Sequence, residues 1–384
     1  MADVHIEGLT KIFAGKQPTT VIEDLNMEIR DGEFIVLLGP SGCGKTTMLR
    51  CLAGLENPTR GRISLGGQTV YDATRRVNLS PDKRSIGMVF QSYALWPHMT
   101  VRKNVAYPLR ARGMKDKIKA GWVEETARLV DCESLLDRYP GQLSGGQQQR
   151  IALARGLVAR PDLILLDEPL SNLDARLRDS VRTQLHELHS RIGFTAVFVT
   201  HDQSEALALG DRLAIMRDGI IEQFDTPQQV FDQPATEYVA DFVGMTNVLL
   251  CEQRDGAWFF NGTVAAGEPP VLEMPGGGQL ARVRIRPEDL RVAPTGESPG
   301  PKMTQLMARV EDAEYGGRSI NVVASVGDNR LHARVPAGGW DSWVRKLGQG
   351  QEVCLGFRMD DARCYDEAGQ REESPAGSQQ ATEA

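Results

Sequence analysis

The sequence predicts an α/β domain followed by a smaller all-β domain, and three observations carry that expectation. Up to about residue 240, short apolar runs of strand-like composition alternate with amphipathic or polar helical stretches, the pattern of helices packed around buried parallel strands. A glycine-rich turn, Gly39-Pro40-Ser41-Gly42-Cys43-Gly44-Lys45-Thr46, joins one such run to a helix. After about Gly244 the texture changes to glycine, proline and short β-rich pieces.

Taken in order, residues 4–9 and 21–29 roughly alternate and read as strands. Residues 33–38 form a short apolar run ending in glycine, as a buried strand would. Residues 46–55 look helical and stop at Gly54 and Pro58. Residues 85–90 are another strand. Residues 115–130 place Ile118, Trp122, Val123, Ala127 and Val130 on one helical face, as in a single helix. A helix at 145–158, a buried strand at 163–166, a polar helix at 174–191 and a buried strand at 194–200 follow. Beyond Gly244, strands at 258–261, 280–285, 308–310, 319–326, 330–335 and 351–357 suit a small barrel or sandwich, with a loop at 294–302. From about residue 361 the chain is polar and is expected to be a disordered tail.

The bulk numbers narrow the function classes. At 384 residues the chain exceeds one ordinary domain. Acidic side chains outnumber basic ones, 51 to 44, so no basic surplus points to nucleic acid as the main partner. The six cysteines (Cys43, Cys51, Cys132, Cys251, Cys354, Cys364) are scattered without a CxxC pair, which fits reduced thiols better than a disulfide framework or a zinc site. No apolar run approaches the roughly 18–20 residues that span a bilayer. The segment Met1–His5 lacks the basic and apolar regions of a signal peptide. The expectation is a cytosolic protein that reaches a membrane only through a protein partner.

The glycine-rich turn matches GxxxxGK[ST] between a buried strand and a helix, the context this motif requires. Gly39, Ser41, Gly42, Cys43 and Gly44 let successive backbone N–H groups face phosphate oxygens. The helix opened by Lys45, Thr46 and Thr47 adds its positive end. Lys45 is suited to neutralise β/γ-phosphate charge and the Thr46 hydroxyl to coordinate Mg²⁺. Cys43, close to that helix N-terminus, is expected to be a reactive thiol that nucleotide protects. At the end of the strand 163–166, Asp167 and Glu168 bring two carboxylates to a phosphate site. Asp167 is assigned to the metal and Glu168 to the general base.

Leu143-Ser144-Gly145-Gly146-Gln147-Gln148-Gln149-Arg150 resembles the ABC signature motif LSGGQ followed by QQR. Ser144 suits a helix N-cap, and Gly145 and Gly146 let backbone approach a ligand. The resemblance implies that Ser144, Gly145, Gly146 and Gln147 contact the γ-phosphate of ATP held by an opposite subunit. The remaining motifs come in the family's order. Gln91 resembles the Q-loop glutamine that contacts Mg²⁺ and the attacking water, and is therefore both a metal and a catalytic candidate. Ser171-Asn172-Leu173-Asp174 resembles the D-loop that crosses a dimer interface. His201 resembles the switch histidine at the γ-phosphate, and Phe13 sits where the family stacks an aromatic on adenine.

This resemblance implies a P-loop ATPase of the ABC type, with a RecA-like core over residues 3–240 and a helical subdomain at about 92–160. Residues 242–247 and 283–289 resemble the joint and barrel of importer subunits with a TOBE (OB-like) domain, expected over 245–360. The segment 94–101 resembles the importers' surface near the permease coupling helix. The implied activity is ATP hydrolysis with Mg²⁺. The implied partners are a twin ATPase subunit, two permease subunits and, indirectly, an extracytoplasmic solute-binding protein, at the cytoplasmic face of the inner membrane. Where sugar-type relatives have a longer joint, this chain reads Gly244-Met245-Thr246-Asn247, which tilts the expected solute toward polyamines or ferric iron. A carbohydrate importer is the alternative. A non-transport ABC ATPase is disfavoured because there is one cassette and no sustained heptad run.

Overall fold

A strand made of a continuous apolar run needs cover on both faces, and Phe34–Leu38 has it, buried at every position. It lies inside a six-stranded sheet with the order Ile220–Asp225, Arg212–Arg217, Phe34–Leu38, Ala196–Thr200, Leu163–Asp167, Ile86–Val89. All neighbours are parallel except the first pair, which is antiparallel. The computed structural model describes residues 3–254, 257–260, 280–339 and 342–371, and the chain divides into two compact units at Val230 and Phe231.

In the first unit the helix Lys45–Ala53 buries Met48, Leu49 and Leu52. These share one apolar cluster with Leu37, Leu163, Leu165, Val197 and Val199 of the parallel sheet. The same cluster takes Ile6, Leu9, Ile22 and Leu25 from an antiparallel sheet ordered Thr19–Ile29, Val4–Phe13, Arg60–Leu65, Gln68–Asp72, Val77–Asn78. The helix is closed at its far end by Arg84. That side chain is 1% exposed, and its guanidinium donates to the carbonyls of Cys51 and Leu52, each at 2.7 Å, and of Leu79 at 3.0 Å. Helix-terminal carbonyls lack intrahelical partners, and a cation there also opposes the negative end of the helix. Burial pushes the Arg84 pKa below the ordinary arginine value.

The helical stretch beginning at Val101 departs from expectation at one point. Residues 115–130 are two short helices, Lys115–Lys119 and Trp122–Leu129, not one. Gly121, at φ 82°, lies in the left-handed region between them and breaks the ladder. Val123 and Ala127 are buried as the periodicity requires, whereas Ile118 and Trp122 are half-buried. The pair Arg212–Arg217 and Ile220–Asp225 lies outside the strands that the sequence predicts. Ile220–Asp225 carries no fully buried residue, so it lacks a strong apolar period.

Among its described residues the second unit holds two antiparallel sheets. One is ordered Ala257–Phe260, Asn247–Arg254, Leu280–Ile285, Arg363–Tyr365, and the other Arg291–Pro294, Glu352–Phe357, Thr304–Tyr315, Ser319–Val326, Asn329–Pro336. Their inward residues, including Leu249, Val283, Leu306, Val322 and Leu355, form one core. The Asn247 side chain joins the sheets, donating to the His332 carbonyl at 2.8 Å and accepting from the His332 N–H at 2.6 Å. A buried amide thus imitates a rung of backbone pairing. The expected tail from residue 361 is corrected here. Arg363–Tyr365 is a strand, Tyr365 is fully buried, and its hydroxyl donates to the Pro234 carbonyl at 3.0 Å. An aromatic ring with a satisfied hydroxyl outweighs the polar composition around it. Asn261 and residues 372–384 lie outside the described residues.

Replacing Arg84 with Met should leave carbonyls at the end of the helix Lys45–Ala53 buried and unsatisfied, at a cost of about 2–3 kcal/mol. A lower urea midpoint of the first unit would show this, and an unchanged midpoint would show that water replaces the guanidinium.

Candidate functional site

Parallel strands deliver their carboxyl ends to one edge of a sheet. Leu38 pairs with Thr200, Asp167 with Val199, and Val89 with Leu166. The residues that follow these ends are Gly39, Glu168, His201 and, after Phe90, Gln91. Four stretches far apart in sequence therefore meet at one rim.

The loop at 39–44 is shaped as a cradle. Gly42 and Gly44 have φ of 87° and 106°, and a Cβ on Gly44 would fall 2.7 Å from the Val21 carbonyl oxygen. Lys45 is buried inside it, its ammonium donating to the carbonyls of Gly39 at 2.7 Å and Pro40 at 2.9 Å, with Cys43 Sγ 3.7 Å away. The Thr46 hydroxyl lies 3.1 Å from Asp167 Oδ1. Burial raises the Asp167 pKa, and the hydrogen bond from Thr46 and the charge of Arg50 oppose that rise. A hydroxyl and a carboxylate this close, next to a phosphate-shaped loop, are the hard oxygen donors that Mg²⁺ takes.

Glu168 has φ of 44°, a region that non-glycine residues seldom occupy. Its N–H donates to the Val199 carbonyl at 3.1 Å. Its own carbonyl accepts from the Ser171 N–H at 3.3 Å and the Ser171 hydroxyl at 2.9 Å. Strain of about 1–3 kcal/mol persists only where surroundings enforce it, and such sites cluster at functional centres. The Glu168 carboxylate is 3.5 Å from His201 Nδ1. Gln91 Nε2 lies 3.2 Å from the Ser171 hydroxyl, and Asn172 Nδ2 donates to the Gln91 carbonyl at 2.9 Å. Gln91, Ser171, Glu168 and His201 thus form one connected group.

Support for this group comes from Arg178 and Glu205, which sequence reasoning missed. Thr200 donates to the buried Glu205 carboxylate at 2.6 Å. Arg178 approaches Glu205 at 3.8 Å and Asp202 at 3.6 Å, and donates to the Leu173 carbonyl at 3.1 Å. The D-loop and the segment after His201 are therefore tied together. The one available signal was the three-residue spacing of Asp202 and Glu205, with Asp202 capping the helix Gln203–Leu209.

Ser144 caps the helix Gly145–Leu157 in a capping box. It accepts from the Gln147 N–H at 3.4 Å, and Gln147 Oε1 accepts from the Ser144 N–H at 3.0 Å. Gly146 has a packing duty besides the ligand approach expected of it, because a Cβ there would fall 2.8 Å from Leu177 Cδ1. Asp174 caps the helix Ala175–Ile192 through the Leu177 N–H at 3.0 Å. Phe13 is 40% exposed at the end of Val4–Phe13, with the Lys11 ammonium 4.5 Å from its ring centroid.

The family model described as ABC transporter matches residues 22–171, and that described as TOBE domain matches residues 283–364. An sn-glycerol-3-phosphate import ATP-binding protein of Paracoccus denitrificans is 46% identical over 82% of this chain and 86% of its own length. An Fe(3+) ions import ATP-binding protein of Rhizobium etli is 48% identical over 78% and 82%. A spermidine/putrescine import ATP-binding protein of Nitratidesulfovibrio vulgaris is 42% identical over 85% and 87%.

The cysteines bear on accessibility. Cys43 is only 4% exposed, against the expectation of a reactive thiol, and all six cysteines are buried. A disulfide reagent should titrate almost no thiol in the native protein and six after denaturation. Fast native labelling at Cys43, suppressed by ATP, would show that the loop opens readily.

Proposed function

This chain belongs to the ABC transporter family, as the ATP-hydrolysing subunit of an importer, and on that premise we propose that two copies pair head to tail around two ATP molecules. Gly39–Thr47 of one copy would face Ser144, Gly145, Gly146 and Gln147 of the other, with Asp174 at the seam. Phe13 would stack on adenine. The capped N-terminus of Gly145–Leu157 favours an anion, and the γ-phosphate would supply it.

Within each site, Glu168 is the general base that takes a proton from the attacking water. His201 holds the carboxylate side and contacts the γ-phosphate. Gln91 orients the water. Lys45 exchanges the carbonyls of Gly39 and Pro40 for phosphate oxygens. Thr46, Asp167 and Gln91 would hold Mg²⁺, which neutralises phosphate charge when bound. The observation that carries this reading is the connected group Gln91–Ser171–Glu168–His201 beside the Thr46–Asp167 pair.

Loss of the γ-phosphate would remove the bridge between the copies, and their opening would be read by two permease subunits. An extracytoplasmic solute-binding protein would favour closure by preferring the same permease state. The chain would then sit at the cytoplasmic face of the inner membrane. No helix among the described residues is long and apolar enough to cross a membrane. For the solute we favour a polyamine or ferric iron, on the short joint Gly244–Asn247 and on relatives named for those solutes. A carbohydrate is the second reading, since a trehalose/maltose import ATP-binding protein of Thermococcus litoralis is 41% identical over 88% of this chain. Solute-stimulated ATPase activity in vesicles carrying the cognate permeases decides between them.

Glu168→Gln should abolish nearly all turnover and keep ATP affinity, because an amide cannot accept the proton. The variant should accumulate as an ATP-bound dimer in size-exclusion chromatography. Normal hydrolysis would remove Glu168 from the base role. Sharing of the site is tested by mixing differently tagged Lys45→Ala and Ser144→Arg chains, each also carrying Glu168→Gln. One of the two sites in the mixed pair is then intact for binding. ATP-dependent pairing should appear in the mixture and in neither variant alone, and its absence would sink the shared-site arrangement.

A further inference from the structure

The helices Trp122–Leu129, Gly145–Leu157 and Ala175–Ile192 leave a cavity of about 210 Å³ between themselves and the strand ends at Val89 and Leu166. Protein interiors hold few voids larger than one water, so a space of this size is exceptional. Six buried side chains, Val89, Val130, Leu153, Leu166, Leu185 and Leu188, give it apolar walls. An apolar cavity of about 150 Å³ accepts one benzene ring, and this one is large enough for two fused rings.

One polar group is set among those walls. Gln149 lines the cavity and is 5% exposed, and its Oε1 has no hydrogen-bond partner among the described residues. Buried polar atoms are nearly always satisfied, and the terminal torsion of a glutamine has two broad orientations. The acceptor is therefore available to a donor inside the cavity. The charges around the mouth balance, Asp131 and Glu187 against Arg150 and Arg191, and so favour neither an anion nor a cation. Arg191 also donates to the Leu129 carbonyl at 2.5 Å, which ties two of the three helices together.

Each wall leads to a residue of the ATP site argued above. Val89 stands two residues before Gln91, and Leu166 two before Glu168. The helix of Leu185 and Leu188 begins after Asp174, and that of Leu153 after Ser144. An occupant stabilises this arrangement of the four segments against any that narrows the cavity. We propose that the cavity binds a small, neutral, largely apolar molecule carrying one N–H or O–H donor, and that its occupancy slows ATP turnover. The effect on turnover rests on the reading of Gln91, Glu168, Asp174 and Ser144 given above; the binding does not.

The test uses indole, an apolar bicycle with one N–H, and indene, a ring system of like size without a donor, in calorimetric titrations of the full chain. Indole should bind about 10-fold more tightly than indene, the worth of one neutral hydrogen bond. Gln149→Met keeps the length of the side chain but removes the acceptor, and should bring the two affinities level. Gln184→Trp, at a half-buried position lining the cavity, should fill it and abolish binding of both rings. Saturating indole should lower kcat for ATP hydrolysis by about fivefold or more, the low end of ordinary coupling between sites, and should leave the Gln184→Trp protein unaffected. No binding of indole, equal affinities for the two rings in the unaltered protein, a preference that persists in Gln149→Met, or binding that survives Gln184→Trp overturns the site. Binding without a change in kcat overturns its coupling to turnover. Absence of ATP turnover in the unliganded protein overturns the functional reading, and calorimetry still decides the site. If either variant fails to fold, the comparison of the two rings in the unaltered protein and the other variant decide.

Discussion

The whole site depends on one constraint, the level register of the parallel strands. Leu38 stands beside Thr200 and Asp167 beside Val199, so the last residue of each strand ends at the same rim. Each chain segment then turns out of the sheet at once, and its first polar residue meets those of its neighbours. A slip of one residue in any pair would turn alternate side chains to the other face and separate Thr46 from Asp167. Every position of the three central strands is buried, so a slip would force each side chain into a space packed for another.

The elements outside the sheet hold the ends of that arrangement. Arg84 closes the helix that follows the phosphate loop, Arg178 joins the D-loop to the turn after His201, and Asn104 fixes the approach to the helical part. The Asn104 side chain is fully buried and bonds the backbone of Trp96, Met99 and Thr100. In each case a polar side chain reaches main-chain atoms or a buried carboxylate, so irregular backbone is held without lengthening the sheet or helices.

Much of this was legible in the sequence, for reasons that differ by residue. Apolar runs report burial directly, so 33–38 and 163–166 were read within a residue of their bounds. The glycine-rich loop at 39–44 is legible because it needs backbone freedom, and the stretch at 143–150 because Ser144 caps its helix. Arg84 and Arg178 are not, since a lone arginine looks the same whether solvated or buried; Arg84 reaches carbonyls that carry no sequence signal, and the carboxylates that Arg178 meets are distant in the chain. Gly121 gives no visible break in the sequence because the apolar period continues across it. The strand Arg363–Tyr365 was hidden by the polar residues around Tyr365. Gly146 was read for its ligand, while its contact with Leu177 depends on packing between two helices far apart in the chain.

The cap on the phosphate-loop helix has a consequence for the conditions the protein tolerates. Neither a guanidinium nor a peptide carbonyl changes protonation over the range in which carboxylates and imidazoles do. Buried as they are, the Arg84 bonds are also sheltered from dissolved ions, unlike an exposed pair such as Arg128 and Glu133. The helix that follows the loop at 39–44 is therefore closed at its far end by contacts indifferent to both acidity and ionic strength. A change of pH or of salt that reaches the polar rim would leave that cap in place beneath it.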